Sequence, residues 1–280
     1  MPLPFREKLT MLMPPSLFYQ RRIAEETRSG EPELALLAKV VQRGGTAIDV
    51  GANLGFFAYA LSDIADWVVA FEPNPDYAFF ARWMLRGRAE VHQLALSDVS
   101  GRGTLYVPLS DRGTVLHLAG SLKQTHSHFR NIKTYDVEVR TLDEFGLMGV
   151  RFVKADVEGS EREVLDGARA TIARDRPIIL LELLSGTHED PATDTAAICE
   201  KLATMPTSSN AARRSQRCRR SPPSARIQAG EPTLSRGTCY SCRDEGYGGN
   251  HRIEQFCSDT AQSAVPTGNP IRLASRRRIG

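Results

Sequence analysis

Residues 48–55 read IDVGANLG, running from Ile48, Asp49 and Val50 through Gly51, Ala52, Asn53 and Leu54 to Gly55. An apolar run that closes on an acid and a glycine predicts a strand turning through a glycine loop into a helix. A turn of this kind cradles a nucleotide-like cofactor. The sequence on either side says whether the fold is right and which cofactor the loop would accept.

Upstream, Glu31 to Arg43 has apolar residues at helical spacing and stops at Gly44-Gly45. Thr46 to Val50 is the first strand, and Phe56 to Ile64 reads as the helix after the loop. Trp67 to Phe71 is a second strand, closing on Glu72-Pro73-Asn74, and Asp76 to Arg86 a second helix. Glu90 to Leu96 is a third strand, closing on Ser97-Asp98. Gly103–Leu109 and Tyr135–Arg140 alternate like strands, and Thr141 starts a short helix. Arg151 to Ala155 is a strand leading into Asp156-Val157-Glu158-Gly159, and Glu161 to Arg174 an amphipathic helix. Pro177 to Leu184, PIILLELL, has the continuous apolar run of a central parallel strand. Thr193 to Met205 reads as one more helix. This alternation predicts an α/β fold, a doubly wound, mostly parallel Rossmann-like sheet, whose ligands lie outside the carboxyl ends of the strands. Those ends carry Asp49, Glu72, Asp98, Asp156, Glu158 and Glu182, more acid than packing alone requires.

Two ligand classes compete for the loop. A glycine turn with an acid about twenty residues on is the dinucleotide pattern, so a nicotinamide cofactor is the first alternative. The loop is G-x-x-x-G, with Ala52 and Asn53 where a pyrophosphate needs the middle glycine. Asp49 also sets an anion where phosphates would sit. A ligand with an ammonium, a sulfonium and a ribose diol, but no phosphate, suits these charges better. S-adenosyl-L-methionine is that ligand, with Glu72 placed for the diol.

From about Glu31 to Met205 the sequence resembles the FkbM-type family of class I S-adenosylmethionine-dependent methyltransferases. The carriers are AIDVGANLGFFAY, VVAFEPNPD, LALSDVSGRGTLYV, VRTLDEF and, most specific, FVKADVEGSEREVLDGA followed by RPIILLEL. The resemblance implies that Asp49, Gly51, Asn53 and Gly55 cradle the methionine part of the cofactor. It implies that Glu72 holds the ribose, Pro73 and Asn74 lie beside the adenine, and Leu96, Ser97 and Asp98 border its edge. Asp156 and Glu158 would be the catalytic pair beside the methyl group and the acceptor. The implied reaction is O-methylation of a hydroxyl on a sugar, glycan or secondary metabolite.

Asp156 and Glu158 are candidates for general base or acceptor orientation, and Asp156 alternatively for the cofactor ammonium. Glu161 reads as a first-turn acid favoured by the helix dipole. An oxygen metal site from Asp156, Glu158 and Glu182 is conceivable, but nothing in the resemblance requires it, and no metal is expected. His117, His126 and His128 lie in the expected acceptor-side insertion, about 101–145, and read as surface loop residues.

Composition divides the chain. It has 280 residues, 41% hydrophobic and 25% charged, as expected of a soluble globular protein. No run approaches a membrane span, and the first residues lack the apolar core of a signal peptide, so a cytoplasmic location is expected. From Pro206 onward there are 13 Arg, no Lys and 5 acids, a charge of +8, so the rest carries −5 of the total +3. The division is thus a lead-in at 1–30, a methyltransferase domain at 31–205 and an Arg-rich, disordered tail at 206–280. That tail has no strand pattern of useful length, so the C-terminal strands are expected to be missing, as a shift of reading frame near Met205 would produce. A nucleic-acid-binding arm and a zinc site from Cys239, Cys242, His251 and Cys257 are weaker readings of the same tail. A degenerate, non-catalytic cofactor-binding protein is the remaining alternative. The expected partner is a small-molecule or glycan hydroxyl acceptor.

Overall fold

The computed structural model describes residues 12–29, 31–109, 120–123, 131–184, 238–239, 253–256 and 272–278. Helix α1 (Pro15–Ser29) leads into a 3-10 turn at Pro32–Ala35 and a short α2 (Leu37–Val40). Strand β1 (Thr46–Val50), helix α3 (Phe56–Leu61), strand β2 (Trp67–Phe71), helix α4 (Pro75–Met84) and strand β3 (Glu90–His92) follow. Then come β4 (Ala95–Leu96), β5 (Gly101–Leu109), β6 (Asn131–Arg140), a 3-10 turn at Leu142–Phe145 and β7 (Val150–Ala155). Helices α5 (Glu161–Asp166) and α6 (Arg169–Asp175) precede β8 (Ile178–Leu184). The last elements are β9 (Thr238–Cys239), β10 (Ile253–Phe256) and β11 (Arg272–Arg278).

The main sheet runs β10-β11-β8-β7-β1-β2-β3, and its five strands from β8 to β3 are all parallel. The expected doubly wound parallel sheet is therefore present. Successive side chains of a strand alternate between faces. On β1, Ile48 and Val50 join one core cluster with Val69, Phe71, Val153 and Ile179. Ala47 joins the opposite cluster with Phe57, Val68, Phe80 and Phe152. Helix α1 closes that second cluster: Tyr19 is fully buried, its ring stacks 4.3 Å from Tyr59, and Phe18 meets Phe80 at 5.5 Å. A second sheet, ordered β4-β6-β5, stands over the strand ends.

The structure departs from the sequence reading in several places. The helix expected at Glu31–Arg43 is a 3-10 turn plus one α turn. The single strand expected at Glu90–Leu96 is two: β3 pairs with β2, while β4 leaves the main sheet to pair with β6. The helix expected at Glu161–Arg174 breaks at Gly167, where a Cβ would lie 2.0 Å from the Ser97 carbonyl. The Asp143 carboxylate then accepts the Ala170 and Thr171 N–H groups, both at 2.8 Å, and starts α6 afresh.

The C-terminal part differs in backbone terms. The sequence predicted no strand after Met205, yet β11 pairs in parallel with β8 and β10 lies antiparallel to β11. Main-chain pairing on an open strand edge needs no apolar pattern, which is why RLASRRR gave no signal. The helix expected at 193–205 and the residues Cys242, His251 and Cys257 lie outside the described residues, as do His117, His126 and His128.

Candidate active site

A cleft of about 750 Å³ opens where the ends of β1, β2 and β7 face the second sheet. Of the residues singled out in the sequence, Gly51, Asn53, Glu72, Pro73, Asn74, Leu96, Asp156 and Glu158 line it. Asp49, Gly55, Ser97 and Asp98 do not form its wall.

The two turns at its base are in contact. Gly51 has φ 76°, and a Cβ there would stand 1.8 Å from the Asp156 carbonyl oxygen, so only glycine lets the turns meet. Asn53 (φ 51°) and Glu158 (φ 53°) are also left-handed without being glycine, a conformation held only where surroundings enforce it. Glu72 enforces the first: its two oxygens accept the Asn53 N–H at 2.6 Å and the Asn74 N–H at 2.8 Å. Burial pushes the Glu72 carboxyl up to about 7, against the pull of those two amides. Asn74 caps α4 by accepting the Asp76 N–H at 3.0 Å.

Asp49 lies fully buried beneath the loop, and its Oδ2 accepts the Ala58 N–H of α3 at 2.9 Å. An acid therefore already takes up a first-turn donor that a pyrophosphate would want. Desolvation raises the Asp49 carboxyl to about 6, with Lys154 pulling the other way. Gly55 is left-handed at φ 84° and packs against Leu85 and the Tyr19 hydroxyl. That hydroxyl donates to the Leu54 carbonyl at 2.8 Å, so α1 braces the loop.

The second turn is tied from two sides. Glu161 folds back, Oε1 accepting the Gly159 N–H at 3.1 Å and the Val157 N–H at 3.3 Å. Burial raises its carboxyl to about 7. It is thus a turn brace as well as a helix first-turn acid. From the short segment that bridges to β5 at Tyr106, Ser121 Oγ donates to the Glu158 carbonyl at 2.8 Å and Lys123 Nζ to the Gly159 carbonyl at 2.6 Å. Ser97 is drawn outward, its N–H on the Arg140 carbonyl at 2.9 Å, and Asp98 is exposed.

Several lining residues had no sequence signal. Leu105 and Val107 of β5, Leu122, Tyr77 and Leu94 give the cleft an apolar wall. They come from elements whose approach to the strand ends is set by tertiary packing. Lys154 was missed although it stands in a buried strand, which is itself an unusual place for a lysine. Among the described residues, no group of three or more His, Cys, Asp or Glu side chains could hold a metal ion.

Residues 49–213, more than half of the chain, match the methyltransferase FkbM domain. This chain belongs to that family. Membership implies S-adenosylmethionine as the cofactor. A curated relative is the 2-O-methyltransferase NoeI of Sinorhizobium fredii (strain NBRC 101917 / NGR234), 27% identical over 145 residues. That match covers 46% of this chain and 59% of NoeI. Among solved structures, the methyltransferase FkbM from Methylobacillus flagellatus KT is 18% identical with a TM-score of 0.42. The match covers 60% of this chain and 40% of that one. Streptococcus mutans SMU.1697c, solved in complex with SAH, is 14% identical with a TM-score of 0.25, over 63% of this chain and 65% of its own. No helix among the described residues is long and apolar enough to cross a membrane.

Proposed function

We propose that this FkbM methyltransferase moves a methyl group from S-adenosylmethionine to a hydroxyl of a sugar, glycan or secondary metabolite. The observation that carries the donor is Asp49 Oδ2 on the Ala58 N–H, 2.9 Å, at the start of the helix after the glycine loop. That anion disfavours a phosphate and favours a ligand whose charges are positive. Glu72, held still by two amides on the cleft wall, keeps lone pairs for a ribose diol. When bound, the cofactor supplies a methyl carbon already activated by its sulfonium.

The remaining work falls to the chain. The Gly51 and Asp156 turns fix the donor end of the cleft, and alignment of this kind contributes several kcal/mol to rate. Asp156, beside Lys154, holds the cofactor's ammonium. Glu158, fixed in its left-handed backbone, takes the acceptor proton, a role worth about 10²–10⁴-fold. The aliphatic wall of Leu105, Val107 and Leu122 excludes water. The reading of the acceptor as a hydroxyl draws on the name of NoeI, a 2-O-methyltransferase.

The division of the chain is part of this proposal: a methyltransferase domain at 31–205, a lead-in before it and an Arg-rich segment after it. The test is calorimetric titration with S-adenosylhomocysteine and, in parallel, NAD. Saturable binding of the first alone, weakened by Glu72→Ala, is the expected result. Transfer of labelled methyl to a fractionated glycan and metabolite extract then reads the acceptor. Binding of NAD in its place would overturn the reading.

A further inference from the structure

Lys154 sits 6% exposed in the middle of the parallel sheet, and the mechanism above leaves it without a task of its own. The register explains its company. Lys154 on β7 is the direct partner of Asp49 on β1 and of Leu180 on β8. Strand alternation puts Lys154 on the same face as Phe152, two residues earlier, and Asp49 on the same face as Ala47. The lysine ammonium lies 4.5 Å from the Phe57 ring centroid and 3.1 Å from Asp156 Oδ2. Burial alone would lower its affinity for a proton. Asp156, Asp49, Glu31 and Glu182 outweigh that and keep it charged.

Asp156 has the opposite problem. The groups facing it are carboxylates from three other elements: Asp49 under the loop, Glu72 at the end of β2 and Glu161 on α5. Each of these is pushed upward in part by Asp156 itself. Four acids at one strand-end junction do not all stay ionised without a cation among them. Lys154 makes an ion pair there with Asp156, both side chains largely shielded from solvent.

We propose that Lys154 is a positioning residue for methyl-donor binding: pinned over Phe57, its ammonium pairs with Asp156 and fixes that carboxylate where the cofactor's amino group binds. This rests on the reading of the cleft as an S-adenosylmethionine site. It adds that donor affinity at neutral pH depends on a residue that does not line the cleft.

The experiment is a double-mutant cycle read by S-adenosylhomocysteine titration on the full chain. The variants are Lys154→Met, Asp156→Asn and the two combined. Lys154→Met should weaken binding at least tenfold. The double variant should bind within twofold of Asp156→Asn alone, because Lys154 acts through Asp156. Lys154→Gln, which keeps a hydrogen-bond donor without charge, replaces Lys154→Met if the latter does not fold, with the same expectation. A lysine that only packs would lower the melting temperature and leave the Kd within twofold of wild type. That outcome, or additive losses in the double variant, overturns the proposal alone. Failure of the wild-type chain to bind S-adenosylhomocysteine overturns both this inference and the functional reading beneath it.

Discussion

The two turns that meet at the base of the cleft are built by different physics. The turn after β1 is made of glycine: Gly51 and Gly55 take left-handed φ, and Gly51 admits the Asp156 carbonyl where a Cβ would stand. The turn after β7 has one glycine, Gly159, next to a left-handed Glu158. It is held in shape by Glu161 from behind and by Ser121 and Lys123 from the segment bridged to β5. Sterics thus set the first turn and hydrogen bonds the second. Steric complementarity tolerates no change, whereas a hydrogen-bonded turn can adjust when the groups holding it move.

The largest expected effect tests the steric half. Gly51→Ala forces a Cβ to within 1.8 Å of the Asp156 carbonyl, so the turns must separate. S-adenosylhomocysteine titration should show affinity lost by more than about 100-fold, with a lower melting temperature. Gly87→Ala is the control. It shares a left-handed φ of 78° but meets nothing within 4 Å. It should cost only the left-handed penalty, about 1 kcal/mol, and leave affinity intact. Equal losses from the two would break the steric account.

Next in size is the polar clamp on the same turn. Glu72→Ala removes the acceptor of both the Asn53 and Asn74 amides and leaves a left-handed Asn53 unsupported. Calorimetry should record a roughly 10–100-fold weaker S-adenosylhomocysteine, about 1.4–2.7 kcal/mol. On the second turn, Ser121→Ala deletes the donor to the Glu158 carbonyl across a separation of 37 residues. Donor affinity should stay within about twofold, while methyl transfer slows by about tenfold, near 1.4 kcal/mol of barrier. A change in donor affinity instead would mean that Ser121 supports the Asp156 end of the turn as well as Glu158.

The contrast between the turns also explains what the amino-acid sequence revealed. Strands Thr46–Val50 and Trp67–Phe71 were read to the residue because continuous apolar runs bounded by glycine or acid are local signals. The glycine turn and Glu72 were legible for the same reason: their chemistry lies in spacing along the chain. Glu158 was singled out as a residue, but its support was not, since Ser121 and Lys123 arrive from a segment more than 30 residues earlier in the chain. Ser97 and Asp98 sit at a strand end in the sequence, yet β4 pairs with β6 and takes them away from the cleft. Lys154 was hidden by alternation. Its partner across the ladder, Asp49, is adjacent only once β1 and β7 are known to be neighbours.

The smallest effect sharpens the comparison by pH. Burial raises Glu72 to about 7, Asp49 to about 6 and Glu161 to about 7, well above the usual carboxylate range. An acid raised in this way contributes most to folding below its unfolded value. That contribution is lost as pH rises through the folded value. The unliganded chain should therefore melt at a lower temperature at pH 8 than at pH 5. In the proposed site a ribose diol would donate to the charged form of Glu72, so donor affinity should move the other way. Between pH 6.5 and 7.5 the ionised fraction of a group titrating near 7 rises about threefold, and the Kd of S-adenosylhomocysteine should fall by the same factor. Asp49 and Glu161 titrate in overlapping windows but do not line the cleft. Glu72→Gln separates them: it should flatten the affinity profile over this range while the thermal profile keeps most of its slope. An affinity profile that survives Glu72→Gln would assign the titration to the second turn and move the pH-sensitive part of the site from the donor loop to Asp156 and its neighbours.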